Sequence, residues 1–86
     1  MPSMVVKQIL AWQIPPAVPS LPAELTPGIS LRLTIEFDGH GYCLLATAVD
    51  GDYAFSEWHA SLKTAEQKAT QLFGPSRRDW ETVGMQ

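Results

Sequence analysis

Apolar and polar residues alternate along the middle of the chain, as they do in a β-strand that has one buried face. Between residues 29 and 37 the apolar positions fall on every second residue: Ile29, Leu31, Leu33, Ile35 and Phe37. Successive side chains of an extended strand point to opposite faces, so a period of two places this set on one side. The segment is therefore predicted to be a half-buried strand of a sheet.

Three further segments have the composition of strands. Residues 4–14 are rich in β-branched and bulky side chains and end at a pair of prolines, which cannot continue a sheet ladder. Residues 42–49 and 53–58 are apolar, and each follows a turn sequence rich in glycine and aspartate. The stretch 29–58 is therefore predicted to be a three-stranded antiparallel meander, with the strand at 4–14 preceding it.

One amphipathic helix is predicted over residues 61–73. Its apolar side chains recur at helical spacing, at Leu62, Ala65, Ala69, Leu72 and Phe73. Ser61 suits the N-cap, and Gly74 before a proline is a typical stop signal. The remaining tail, 75–86, contains Trp80, which we expect to pack back onto the helix or the sheet edge.

Together these elements predict a single α+β domain over residues 1–86. An antiparallel sheet of about four strands, in β-β-β-β-α order, carries one C-terminal helix packed on one face. A proline-rich connector, 15–28, joins the first strand to the meander and suits an extended crossover.

The predicted strand at 42–49 carries apolar side chains on both faces. One face includes Tyr42 and Leu44, and the other consists of Cys43, Leu45, Thr47 and Val49. One helix covers only one face of a sheet, so the second apolar face needs another cover. Either the connector folds across it or a second copy of the protein does. We favour a homodimer whose interaction face is Cys43, Leu45, Thr47 and Val49.

Charge and cysteine content narrow the possible partners. A net charge of −3 disfavours nucleic acid, which requires a basic surface. No segment approaches the roughly 20 apolar residues of a membrane-spanning helix. Cys43 is the single cysteine, so no intrachain disulfide forms, and the N-terminal residues do not lead us to expect a secretory signal. We therefore expect a cytoplasmic protein with no nucleic-acid or membrane partner.

The best candidates for a binding or reactive site lie at the junction between the last meander strand and the helix: Tyr53, Glu57, Trp58 and His59. His59 is a candidate general base or ligand. The favoured interpretation is structural, with His59 bonded to backbone and Trp58 anchored in the core.

The other polar residues do not form a recognisable reactive set. His40, Cys43 and His59 lack the spacing of zinc ligands, and Asp50 and Asp52 suit a turn better than a calcium loop. We therefore expect no catalytic residue, cofactor or metal. The leading hypothesis is a non-enzymatic protein–protein interaction module, and the alternative is a small enzyme or ligand binder that uses the His59 region.

A set of spaced motifs links the meander to the helix: Gly41-Tyr42, Trp58-His59, Ser61-Leu62, Ala65 and the later Trp80. In these motifs the chain resembles a group of small uncharacterised bacterial proteins that run a β-meander into one helix. Ser56-Glu57 stands where that group usually has Asp-Thr. The resemblance implies the fold and no particular activity.

The segment from Ser61 to Ala65 is also loosely similar to HicB-type antitoxins, which enter a helix after a β-meander. Those proteins bind a small basic toxin. This similarity implies a second alternative, an antitoxin-like or immunity-like binder of a basic partner protein, which the acidic balance of the chain suits.

Overall fold

A computed structural model describes residues 3–83, in which five strands and one α-helix form an α+β fold. Strands β1 to β5 span Met4–Gln13, Ser30–Phe37, Tyr42–Ala48, Ala54–His59 and Glu81–Thr82. Helix α1 spans Leu62–Phe73, and a short 3-10 helix follows at Arg77–Asp79. The predicted fold class is confirmed, with β5 added to the expected strands.

The strands form one antiparallel sheet in the spatial order β4-β3-β2-β1-β5. Register is continuous from β2 to β3 and from β3 to β4, so directly opposite residues share a face. Strand β1 is less regular, because its pairing with β2 shifts between Val5 and Lys7 and again between Ile9 and Trp12. Such bulges bend a strand and re-aim its side chains.

The hydrophobic core lies between one face of the sheet and helix α1. Fully buried residues from the two layers are Val6, Leu31, Leu33, Ile35, Leu44, Ala46, Ala65, Ala69 and Phe73. The Phe73 ring meets Phe55 edge-on, with ring centroids 5.7 Å apart, and meets Tyr53 at 6.5 Å. These contacts tie the last turn of the helix to the start of β4.

Both ends of α1 are capped by neighbouring residues, the N-terminus by a side chain and the C-terminus by a backbone N–H. The Ser61 hydroxyl accepts a hydrogen bond from the Thr64 amide at 3.2 Å. Gly74 adopts φ 103°, and its N–H donates to the carbonyls of Ala69 and Thr70. The Trp12 indole N–H, from β1, donates to the Phe73 carbonyl at 2.8 Å, so the sheet itself satisfies one of the unpaired carbonyls.

The proline-rich connector packs on the same face of the sheet as the helix. The Ser20 amide donates to the Gln71 carbonyl at 3.2 Å, which places the connector beside the last turn of α1. Leu25 is 5% exposed and belongs to the core cluster that includes Phe73. The connector is therefore part of the helix layer and does not cover the second face of the sheet.

The residues after the 3-10 helix return to the sheet edge. Trp80 is 7% exposed, and β5 directly after it pairs with Lys7 and Gln8 of β1. Side chains reinforce this pairing, because Lys7 Nζ donates to Thr82 and Gln8 donates to Glu81. The last three residues of the predicted 75–86 tail lie outside the described residues. No helix between residues 3 and 83 has the length and hydrophobicity needed to cross a membrane.

The packing of the connector against the helix end can be tested at Gly74. A Cβ there would lie 3.0 Å from Pro15 and 3.1 Å from Val18, in addition to the cost of positive φ. Gly28 is the matched control, because it also has positive φ (94°) but nothing within 4 Å of its Cβ position. We expect Gly28→Ala to lower the free energy of unfolding by about 1–2 kcal/mol and Gly74→Ala to lower it further. Urea unfolding measures both, and equal losses would contradict the described connector packing.

Candidate functional site

The face of the sheet opposite α1, here called the helix-free face, has no helix packed on it among the described residues. Its paired side chains come from β2, β3 and β4: Arg32, Thr34, Glu36, Cys43, Leu45, Thr47, Ala54, Ser56 and Trp58. None of them is classed as buried, and those from β4 are all exposed. This face is therefore the first candidate for an interaction surface.

Three of the four residues predicted to form an interaction face lie on this surface. Cys43, Leu45 and Thr47 alternate along β3, and Val49 lies directly after it, where its amide donates to the Ser30 carbonyl at 3.0 Å. Cys43 and Leu45 are half-buried, whereas Thr47 and Val49 are exposed. The structure therefore places Cys43, Leu45 and Thr47 on one strand, with Val49 just beyond its end.

Neighbouring strands make the helix-free face more polar than the β3 sequence alone indicates. Leu45 lies between Thr34 on β2 and Ser56 on β4. In the next row, Cys43 lies between Glu36 and Trp58. The face is thus a mixed surface with isolated apolar side chains, and its apolar character is weaker than expected from the sequence.

Trp58 lies on the helix-free face, so the prediction that it anchors the junction in the core is wrong. Its side chain is 54% exposed, and its ring lies across Gly41, where a Cβ would overlap the indole. The indole N–H donates to Asp38 Oδ2 at 3.2 Å. The strand period explains this placement, because Phe55 and His59 point toward the helix and Trp58 has the opposite parity.

Asp38 is a structural residue that the sequence analysis did not single out. Its Oδ1 accepts hydrogen bonds from the backbone amides of His40 and Gly41, both at 2.8 Å, in the turn between β2 and β3. These amide donors, Gly41 first and then His40, lower the pKa of the Asp38 carboxyl. An aspartate three residues before a glycine in a hairpin turn is the sequence signal for this arrangement.

The residues of the predicted junction site do not converge. Tyr53, Glu57 and His59 point toward the helix, whereas Trp58 points to the opposite face. Tyr53 and His59 lie at opposite ends of β4, about 20 Å apart on an extended strand. Only Glu57 and His59 meet, with Oε1 and Nε2 separated by 2.7 Å.

The Glu57–His59 contact is close but enclosed. The His59 side chain is 14% exposed, and its Nε2 atom is buried without an aligned hydrogen-bond partner. The short distance therefore describes a close contact between neighbours on one strand and not a well-directed hydrogen bond. The prediction that His59 hydrogen-bonds the backbone at this junction finds no counterpart at Nε2, which faces the Glu57 carboxylate.

An open cavity of about 410 Å³ lies at the other end of β4, lined by Glu24, Asp52, Tyr53 and Ala54. Partial burial raises the pKa of the Tyr53 hydroxyl, and the Glu24 carboxylate adds to this effect. His59 does not line this cavity. The cavity and the Glu57–His59 pair are therefore separate features.

The remaining candidate groups stay isolated from one another. His40 is exposed in its turn, and burial is the main cause that raises the pKa of the Cys43 thiol, which favours its unreactive protonated form. Between residues 3 and 83, no three His, Cys, Asp or Glu side chains are grouped as a metal site would require.

Comparisons with known proteins identified no related protein. No protein-family model, curated protein or solved structure matches the chain.

The role of Asp38 predicts a specific pH dependence of stability. Because the folded state lowers its pKa, the carboxylate stabilises the fold above the ordinary value of 3.8 and loses this contribution as the pH falls through the folded pKa. The difference in unfolding free energy between the native protein and Asp38→Asn should therefore shrink below pH 3.8. Urea titrations at several pH values measure it.

A second variant separates the causes of this effect. In a Trp58→Phe background the two backbone amides still donate to Asp38, so most of the pH-dependent difference should persist. A difference that stays constant from neutral to acidic pH in both backgrounds would show that the turn does not hold the charged carboxylate.

Proposed function

We propose that this protein is a non-enzymatic protein–protein interaction module that acts as a homodimer in the cytoplasm. The observation that carries the proposal is the one-sided cover of the sheet. Helix α1 and the connector both pack on one face of the sheet. Within the described residues 3–83, none of the strand-paired residues on the helix-free face is buried. A second copy of the chain could join the sheet face to face on this open side or edge to edge along an open strand.

The small size of the domain supports self-association. A chain of 86 residues buries only roughly 60–65% of the surface that its unfolded form exposes. Domains of this size gain stability when an oligomer interface extends the core. Trp58 and Val49 are each 54% exposed in the single chain, so an interface could bury large apolar side chains here.

The distribution of ionisable groups supports a non-enzymatic role. General acid–base chemistry needs a group within hydrogen-bond reach of a bound substrate. The buried Nε2 of His59 faces Glu57, and neither residue lines the open cavity near Tyr53. The alternative of a small enzyme at the His59 region would therefore require the Glu57–His59 contact to open.

Light scattering coupled to size exclusion tests the proposed homodimer. We expect a mass twice the 9.5 kDa of one chain at micromolar concentration, and a melting temperature that rises with protein concentration, because mass action stabilises an associating fold. A single-chain mass together with a concentration-independent melting temperature would contradict self-association.

A further inference from the structure

The two edges of the sheet are protected to very different degrees. At one edge, β5 pairs with part of β1, and the pairing of β1 carries two register shifts and the charged Lys7. Short edge strands, bulges and lysines are the devices that prevent unwanted pairing between sheets. The β1–β5 edge therefore has several safeguards against a neighbouring strand.

The opposite edge, formed by β4, has few of these safeguards. Its sequence from Ala54 to His59 contains no proline and no lysine, and its register with β3 is unbroken over six residue pairs. No other strand among the described residues pairs along its outer side. This edge presents backbone donors and acceptors that another strand can bind.

The hydrogen-bond pattern identifies which residues face outward. The Ala48 amide donates to the Tyr53 carbonyl at 3.1 Å, so Tyr53 belongs to a hydrogen-bonded pair of the β3–β4 hairpin. Such pairs alternate in an antiparallel ladder. The backbone groups of Phe55, Glu57 and His59 therefore point toward β3, and those of Ala54, Ser56 and Trp58 point away from the sheet.

We propose that β4 of a second copy pairs antiparallel with this edge, with Ser56 opposite Ser56 of the partner copy. The three outward residues are spaced evenly around Ser56, so a twofold axis there engages all of them and forms about six backbone hydrogen bonds. The pairing rests on the proposed self-association and specifies where the copies join. It would unite the two five-stranded sheets into one continuous sheet.

Side-chain size favours this register, and it favours a second copy of the chain as the strand that pairs with the β4 edge. Ala54 lies opposite Trp58 of the partner copy, so the smallest side chain of the edge leaves room beside the largest. Both are exposed in the single chain. The two Ser56 hydroxyls meet at the axis, where each can donate to or accept from the other.

Charge does not oppose the pairing. Glu57 is the one acidic residue of β4, and an inward charge can itself protect an edge. In this register, however, Glu57 lies opposite Phe55 of the partner copy, and its carboxylate remains 2.7 Å from His59 of its own chain. No like charges stand directly opposite each other, which would destabilise the ladder.

Disulfide trapping tests the register. In a Cys43→Ala background, Ser56→Cys should form a cross-linked dimer under mild oxidation, because hydrogen-bonded antiparallel pairs hold their Cα atoms about 5.5 Å apart. Thr47→Cys is the matched control, exposed on the same face but one strand further from the axis. Its two copies would be about 20 Å apart, since three strand spacings and four residues along the strand separate them. This exceeds the roughly 7 Å that a disulfide spans, so the variant should remain uncross-linked.

A proline variant tests the same edge without cysteine chemistry. The Ser56 amide points outward, so Ser56→Pro removes no hydrogen bond within the chain, and proline is tolerated on edge strands. It removes both central bonds of the proposed dimer and should raise the dimer dissociation constant at least about tenfold. Ser56→Thr keeps the amide and should leave the constant unchanged. Circular dichroism checks that each variant is folded.

The outcomes separate this inference from the proposed function. A dimer that cross-links through Thr47→Cys but not Ser56→Cys would overturn edge pairing and leave self-association intact. A folded Ser56→Pro that dimerises as tightly as the native chain would also overturn edge pairing. A monomeric native protein with no cross-link at either position would overturn both.

Discussion

The structure depends on the way in which the connector and the helix share one face of the sheet. Gly74 ends the helix in a left-handed conformation and leaves space for Pro15 and Val18 to approach its backbone. Trp12 reaches across from β1 to the Phe73 carbonyl at the same point. These contacts hold helix α1 and the connector together in a single layer on one face of the sheet. The other face and the β4 edge therefore remain open.

The open surfaces differ in character. The helix-free face mixes Leu45 and Cys43 with polar neighbours such as Thr34 and Ser56, so contact with water costs it less than an apolar face. The β4 edge instead presents directed backbone groups, which favour one geometry of pairing. The edge therefore offers a more specific geometry for the proposed self-association, and Trp58 lies where the edge and the face meet.

Much of the fold could be predicted from local sequence patterns. The alternation from Ile29 to Phe37 gave a strand at Ser30–Phe37, and Ser61 with Gly74 bounded a helix at Leu62–Phe73. The two-residue strand β5 is too short to carry a periodic signal, so the sequence pattern does not predict it. The proline-rich segment 15–28 has no periodic pattern that could indicate which face of the sheet it covers, and the contacts of Leu25 and Ser20 with the helix layer define that face.

The candidate site was harder to predict because it depends on neighbouring strands. The sequence analysis predicts Trp58 to anchor the junction in the core, although its parity with Ala54 and Ser56 places it on the other face. Likewise, Leu45 appears apolar along β3 but has Thr34 and Ser56 beside it. A single sequence gives the alternation within each strand, whereas the composition of a sheet face also requires the register between strands.

Amide hydrogen exchange along β4 tests the account most directly. We predict that the outward amides of Ala54, Ser56 and Trp58 exchange as slowly as those of Phe55 and Glu57 at concentrations that favour the dimer, because both sets are then hydrogen-bonded. Dilution should release the outward set first. Fast exchange of Ala54, Ser56 and Trp58 at every concentration, beside slow exchange of Phe55 and Glu57, would show that this edge stays open and would contradict the account.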